Sequence, residues 1–485
     1  MPSIISTLSL TAILLSTSRA ELDWTNSTAI VESAKVYADT LVNGYYGASP
    51  PGHPLGLFLA DEINGRFDEY IIWSQSAVIW ETLTTYANLT GDMQYNDRVV
   101  EALYAQAGEN EDYMPKNRTS LKPADLFGNQ NQSQWALAAL SAAELESQKP
   151  IDGKPTFLKL AQNVFDSQVA RWDNDTCGGG LREAIVKSKD KNATDNFNWK
   201  TAASNSNFFL LAARLHRITG NETYADWAES SFTWAQKVGM IAGNWSMKEW
   251  FQIVDDKCEG FNDEEDTGLS SSFGNFLEGA TTMANITYNI FTGEHETWKD
   301  RANSLSDTIE TFRTGQKRNQ TINNPCPGFS LDEPECGAIR TTQYAHSLGR
   351  ATYFGQGSLG GAMITYIPNY LQWSADAAAS LCTSAKSSLH YSDGSEKNVD
   401  FQTYCDGAWG TNQMLFQVGD VRNAAAALEV LQGSLWTMKR QSAATPTSGA
   451  PAPTATDKKG GAETLKGRSS VVAAIAAVVV AVVAL

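Results

Sequence analysis

Five of the eight residues from Gly128 to Trp135 carry side-chain amides: Asn129, Gln130, Asn131, Gln132 and Gln134. Amides donate and accept hydrogen bonds but neither release nor take up a proton near neutral pH. Such a run can hold a polar ligand, yet it supplies neither acid–base nor nucleophilic chemistry. Groups with that capacity lie elsewhere. Asp255-Asp256 is an adjacent aspartate pair and Asp263-Glu264-Glu265-Asp266 an acidic run, both in a Gly- and Cys-flanked stretch before Leu269. A solvated loop is the plainer reading of both, since the spacing lacks an EF-hand pattern. Asp125 and Asp112, the latter in Asp-Tyr-Met-Pro, read as structural or ligand-positioning residues. His53, His216, His295, His346 and His390 are isolated and show no metal-ligand spacing. Gly178-Gly179-Gly180 is followed by no Lys-Ser/Thr, which favours a turn or a loop approaching a ligand over a phosphate cradle. No metal and no cofactor are expected.

The elements that must position these residues are helical. Ala34, Tyr37, Ala38, Leu41 and Tyr45 recur at steps of three and four, as do Leu137, Leu140, Ser141, Glu144 and Leu145, which predicts a helix over 136–144 directly after the amide run. A helix-end, helix-start signature recurs at Leu89-Thr90-Gly91-Asp92 to Asp97, at Ile218-Thr219-Gly220-Asn221 to Asp226 and, more loosely, at Phe291-Thr292-Gly293-Glu294 to Asp300. In each, Gly can end one helix in the left-handed conformation while the polar residues after it cap the next, which makes an antiparallel hairpin. The stretch 21–436 has no internal Pro/Gly/Ser linker, although so long a core normally divides. A closed ring of helical hairpins resolves the conflict, because it grows by adding pairs around one centre.

The chain has 485 residues, 42% hydrophobic and 19% charged, which is ordinary globular composition. A net charge of −17 argues against nucleic acid as a partner, since phosphate binding needs a clustered basic surface. Both ends read as processing signals. Residues 1–20 form a short apolar run closed by Ser18-Arg19-Ala20, the pattern of a secretory signal peptide. Residues 437–459 are Ser/Thr/Pro/Ala-rich and read as a flexible stalk. Over 460–485, small residues from Gly460, a polar spacer and an apolar tail from Val471 match a glycosylphosphatidylinositol (GPI) attachment signal at Gly460, with a simple tail anchor as the alternative. The expected place is therefore the outer face of the plasma membrane or the cell wall, held through a lipid anchor. In that oxidising setting the six cysteines favour disulfides. Nearness in sequence favours Cys326–Cys336 and Cys382–Cys405, which leaves Cys177–Cys258. Asn-x-Ser/Thr sequons at Asn26, Asn88, Asn117, Asn174, Asn192, Asn221, Asn244, Asn285 and Asn319 suit a glycosylated surface, and a further one opens at Asn131.

Several ordered segments carry a resemblance: Asp112-Tyr113-Met114-Pro115-x-Asn117-x-Thr119, Gly128-Asn129 to Ala142-Ala143-Glu144, and Ala170-Arg171-Trp172-Asp173 to Cys177-Gly178-Gly179-Gly180-Leu181-Arg182. Leu211-Ala212-Ala213-Arg214-Leu215 and Thr219-Gly220-Asn221 to Glu229 continue the series. Over 21–436 they resemble fungal glycoside hydrolase family 76, the cell-wall endo-α-1,6-mannosidases or mannan transglycosidases. The resemblance implies an all-α (α/α)6 toroid and a groove for α-1,6-mannan or a GPI glycan, with cell-wall polysaccharide as partner. In that family two adjacent aspartates in Gly-Asn-Asp-Asp-Gln serve as the carboxyl pair that glycoside cleavage requires. Here those positions are Gln130 and Asn131. The family's acid ahead of its second helix is Gln75, its Trp after Gly-Gly-Gly-Leu-Arg is Glu183, its Tyr-Lys-Asn-Ser is Trp199-Lys200-Thr201-Ala202, and its Trp-Ser-Tyr-Asn is Leu269-Ser270-Ser271-Ser272. Trp73 and Trp135, which flank the altered pair, are expected to stack on sugar rings. Gln75, Arg182 and Asn205 are expected to contact substrate. Two readings follow: a mannan-binding protein with hydrolysis lost or weakened, or an active mannosidase or transglycosidase that uses displaced acids.

Overall fold

The computed structural model describes residues 22–49, 52–60, 69–70, 73–114, 128–145, 149–187, 196–260, 271–286, 297–314, 322, 335–355, 361–390, 396–405 and 421–444. Among them are twelve α-helices, and they alternate between two environments. Six pack into a closed inner ring: α2 (Trp73–Thr90), α4 (Asn129–Glu144), α6 (Ala202–Thr219), α8 (Ser271–Ile286), α10 (Glu335–Phe354) and α12 (Val421–Ala444), with α12 returning against α2. The other six, α1 (Ser27–Asp39), α3 (Asn96–Ala105), α5 (Phe157–Val169), α7 (Glu222–Lys237), α9 (Trp298–Thr314) and α11 (Gly361–Ser380), lie outside it, each against an inner helix. This is the closed ring that the hairpin pattern predicts and the (α/α)6 toroid that the resemblance implies.

The sequences differ as the two environments require. Outer helix α5 buries Phe157, Leu160, Ala161, Val164, Phe165 and Gln168, a single stripe at steps of three and four. Inner helix α2 is buried on every side from Trp73 to Ala87, and α6 from Ser204 to His216. Hairpins turn where the glycine signature places them. Gly220 adopts φ +65° after α6, and Asn221 then caps α7 by accepting the Thr223 N–H. Gly91 is likewise left-handed between α2 and α3. At the third copy, Thr297 and Asp300 cap α9 reciprocally, while Gly293 lies outside the described residues.

Two local features depart from the sequence reading. Helix α4 begins at Asn129, seven residues before Ala136, so the amide run forms its first two turns. Groups distant in sequence fix its start: the Asn129 N–H donates to the Glu183 carbonyl at 2.9 Å, and Gln168 Nε2 donates to the Asn129 carbonyl at 2.9 Å. Short antiparallel sheets also decorate the ring: β1 (Leu59–Ala60) with β2 (Glu69–Tyr70), β3 (Trp199–Thr201) with β4 (Trp250–Val254) and β5 (Lys257–Gly260), and β6 (Cys382–His390) with β7 (Glu396–Cys405).

The centre of the ring is ionic. Arg214 of α6 lies 3.0 Å from Glu81 of α2 and 3.1 Å from Glu144 of α4. Arg350 of α10 reaches Glu144 at 2.9 Å and Glu278 of α8 at 2.6 Å, and Arg217 of α6 also pairs with Glu144. His346 of α10 stands between Glu429 of α12 at 3.1 Å and Glu81 at 3.5 Å. Every inner helix thus contributes at least one member. Burial opposes charge on Glu144, yet Arg214, Arg217 and Arg350 outweigh it and hold the acid well below the usual carboxylate range. Among the described residues four acids face three arginines there, so a protonated His346 completes the balance.

Candidate functional site

Because each hairpin turns back, the inner helices run the same way and their first turns share one end of the ring. Polar side chains link the opening turns of α4, α6 and α8 there and reach Ser347 further along α10. Ser347 Oγ donates to Asn275 Oδ1 at 3.2 Å, Asn275 Nδ2 donates to Asn207 Oδ1 at 2.6 Å, and Asn207 Nδ2 donates to the Gln130 carbonyl at 3.3 Å. The chain of bonds therefore runs from α10 through α8 and α6 to α4. A small cavity lies among Gln134, Asn275, Gln343, Glu81, His346 and Leu210.

Gln130 and Asn131, which the resemblance puts at the family's acid positions, sit in the first turn of α4. Gln130 is half-buried and Asn131 is buried. Their neighbours hold that turn rigidly. Arg171 Nε donates to Asn129 Oδ1 at 2.9 Å, and its guanidinium also bonds Gln132 Oε1. Asn129 Nδ2 donates to the Arg182 carbonyl at 2.8 Å, and Gln132 Nε2 to the Asp112 carbonyl at 2.7 Å. Neither Gln130 nor Asn131 can present a carboxyl, so neither side chain transfers a proton near neutral pH.

Carboxyl groups do stand close by. Glu183 lies beside Gly128, where a Cβ would come 3.1 Å from Glu183 Oε1 and 2.9 Å from its carbonyl oxygen. Its other oxygen accepts hydrogen bonds from Thr201 Oγ1 and, at 2.6 Å, from Ser204 Oγ. The residue is half-buried but its carboxyl is enclosed, and that burial pushes the acid up, with Ser204 and Thr201 opposing. Glu249, just before β4, accepts from Ser272 Oγ at 3.0 Å at the start of α8, and its Oε1 is buried with no donor among the described residues. The sequence shows Glu183 only as a departure from a tryptophan and Arg171 only as part of a matching segment, and it gives Glu249 no mark. The only local signal for the first two is adjacency to motifs.

The residues expected to contact substrate fall into different roles. Trp135 is fully buried; its ring stacks on Tyr113 at 5.6 Å and tilts against Trp73 at 5.6 Å, so no face is open to a sugar. Trp73 is 8% exposed and Nε1 donates to Gln106, which makes it a core residue too. The hydrophobic drive to fill the ring end outweighs display of these rings. Asn205 is buried and braces the Gly-Gly-Gly-Leu loop: Leu181 N–H donates to its Oδ1 at 2.8 Å, while Nδ2 donates to the Leu181 and Thr201 carbonyls. Arg182 pairs with Asp173 at 2.8 Å and lies over the Phe197 ring. Gln75 is buried at the start of α2, its Oε1 lacking a donor among the described residues.

Around the glycine run, Lys200 replaces any ligand. Its Nζ donates to the carbonyls of Thr176 at 2.7 Å and of Gly179 at 2.5 Å and stands 3.3 Å from Asp173. Desolvation drops this lysine to about 8, against the pull of Asp173. Gly180 takes φ +94° against Trp234, so the run is a turn closed on an aromatic wall. The Cys177–Cys258 and Cys382–Cys405 bonds are both formed, while Cys326–Cys336 lies outside the described residues. Asp255 and Asp256 form the exposed turn between β4 and β5, whereas the acidic run from Asp263 is not described. Asn26, Asn174, Asn221, Asn244 and Asn285 are exposed and Asn88 is half-buried. Asn117, Asp125, Asn192, Asn319 and Gly460 lie outside the described residues.

Residues 29–446 match the model of glycosyl hydrolase family 76. A putative mannan endo-1,6-alpha-mannosidase of Schizosaccharomyces pombe is 34% identical over 307 residues, 63% of this chain and 63% of that protein, so the chain spans under two thirds of its relative. Among solved structures, Dfg5 from Chaetomium thermophilum in complex with glucosamine superposes with a TM-score of 0.67 at 26% identity, covering 87% of this chain and 93% of the other. An inactive variant of an α-1,6-mannanase from a Salegentibacter species, with two neighbouring aspartates changed to asparagine, holds α-1,6-mannotriose. It matches with a TM-score of 0.59 at 13% identity over 86% of this chain and 100% of that one, a likeness of fold alone.

Proposed function

The chain belongs to glycosyl hydrolase family 76, and we propose that it binds α-1,6-mannan or GPI-glycan mannose at the fungal cell surface with hydrolysis lost or weakened. The observation that carries this reading is the first turn of α4, where Gln130 and Asn131 stand in place of the family's acid pair inside an otherwise polar, well-braced ring end. Glycoside cleavage needs one carboxyl to protonate the leaving oxygen and another to attack or to activate water. Amides keep the hydrogen bonds of such a pair and lose both steps. The Salegentibacter variant supports the separation of binding from cleavage, since a mannanase described as inactive after its aspartates became asparagine still holds mannotriose. Delivery to the outer surface rests on the signal-like residues 1–20 and on attachment at Gly460.

A second reading has its own support. Glu183, kept protonated to higher pH by burial, is suited to donate a proton, and Glu249 offers a second carboxyl at the start of α8. On that reading the chain is an active mannosidase or transglycosidase with displaced acids. Incubating the purified protein with linear α-1,6-mannan, alongside calorimetric titration, separates the two. Binding without cleavage or transfer supports the first, turnover that disappears in Glu183→Gln supports the second, and neither binding nor turnover contradicts both.

A further inference from the structure

The small sheet β3–β4–β5 has one face on the core, while the other is exposed at Trp250, Gln252 and Glu259 and covered at Thr201. Register puts Trp199 opposite Gln252, Thr201 opposite Trp250, and Gln252 opposite Glu259. Cross-strand partners and alternate residues share a face, so Trp199, Thr201, Trp250, Gln252 and Glu259 lie together. Lys200 and Phe251 alternate with them and are buried on the other side. On the outer face Trp250 is 45% exposed, and Gln252 and Glu259 are exposed beside it. The rings of Trp199 and Trp250 stand 6.2 Å apart at 88°, which braces Trp250 edge-on without covering it.

Nothing in the packing requires an indole there. Single exposed apolar residues are ordinary, but this one is braced by a second tryptophan and flanked by an amide and a carboxylate. That is the composition that meets a pyranose, whose apolar face stacks on an aromatic ring while its hydroxyls take polar partners. Beneath that face, bonds through buried Thr201 lead to the ring end. Thr201, opposite Trp250, donates to Glu183, and the Glu183 carbonyl holds the first N–H of α4 next to Gln130.

We infer that the outer face of β3–β4–β5 is a distal sugar subsite, in which Trp250 stacks on one hexopyranose of a glycan whose other units lie at the α4 end of the ring. This rests on the mannan-binding reading above. Affinity then grows with chain length, because only longer chains reach both places. Isothermal titration of the purified protein with α-1,6-mannotriose and α-1,6-mannohexaose tests it, using Trp250→Ala and Trp250→Phe. The wild type binds the hexasaccharide more tightly than the trisaccharide by about tenfold. Trp250→Ala removes that gain and leaves trisaccharide affinity and melting temperature unchanged, and Trp250→Phe restores part of it. A length dependence that survives in Trp250→Ala overturns the subsite alone. A wild type that binds neither sugar overturns the mannan-binding reading as well.

Discussion

Arg350 of α10 lies 2.9 Å from Glu144 of α4, although those helices stand three places apart in the six-membered inner ring. Their ion pair therefore crosses the middle of the toroid, where Glu144 also receives Arg214 and Arg217. Truncating one side of a buried pair leaves the remaining charges without compensation, which costs about 3–5 kcal/mol. Glu144→Gln is accordingly expected to lower the unfolding free energy obtained from urea titration by an amount in that range. A change under about 1 kcal/mol would show that water reaches the centre and screens it.

His346 gives the same centre a pH dependence. Burial disfavours its charge, but Glu81 and Glu429, with Glu278 behind them, prevail and raise it above the ordinary histidine range. Arg214 and Arg350 complete the charged set around it. A group raised in the folded state binds its proton more tightly there than in the unfolded chain. Its stabilisation is whole below the unfolded value of about 6.5 and declines as pH climbs through the folded value. Melting temperature followed from pH 5 to 9 should fall across that window in the wild type and lose this component in His346→Gln. An identical profile in both would remove His346 from the balance.

Glu183 is raised for a different reason, enclosure of its carboxyl, so its ionisation works against the fold. The contribution is complete below about 4.3, the unfolded value, and is lost as pH rises past the folded one. Glu183→Gln keeps an acceptor for Thr201 and Ser204 and carries no charge. Differential scanning calorimetry should find the variant more stable than wild type near pH 7 and the difference gone near pH 4. Equal melting at neutral pH would mean that the carboxyl is solvated.

Some of this was legible in the sequence and some was not, for physical reasons. Gly220 followed by Asn221 announces a hairpin because both devices, a left-handed turn and a side-chain cap, are local. The start of α4 is not local: Glu183, Gln168 and Arg171 hold it from across the fold, and amide-rich sequence gives no sign of their reach. The ionic centre is harder still, since Glu81, Arg214, Glu278 and Glu429 are scattered through the chain and each looks like an ordinary polar residue until the ring closes. The sequence marks Trp73 and Trp135 as aromatic but not as buried, because Trp135 is covered by Trp73 and by Tyr113, which a different loop brings in.

The α4 turn makes a reversible claim. Its backbone is held through Asn129 by Arg171, the Arg182 carbonyl and the Glu183 carbonyl, bonds that substitutions at 130 and 131 leave in place. Gln130→Asp/Asn131→Asp is expected to fold, with a melting temperature within about 3 °C of wild type. A collapse in solubility or a much larger drop would show that the amides are needed for structure.

Release of sugar from α-1,6-mannotetraose, measured side by side for the wild type and for Gln130→Asp/Asn131→Asp, tests the central claim most directly. Loss of a catalytic carboxyl commonly costs orders of magnitude in rate. The expected result is a wild type that binds the tetrasaccharide and releases no product, with the double variant cleaving it measurably. A wild type that cleaves as fast as its double-aspartate variant would contradict the claim that the altered pair has silenced this site.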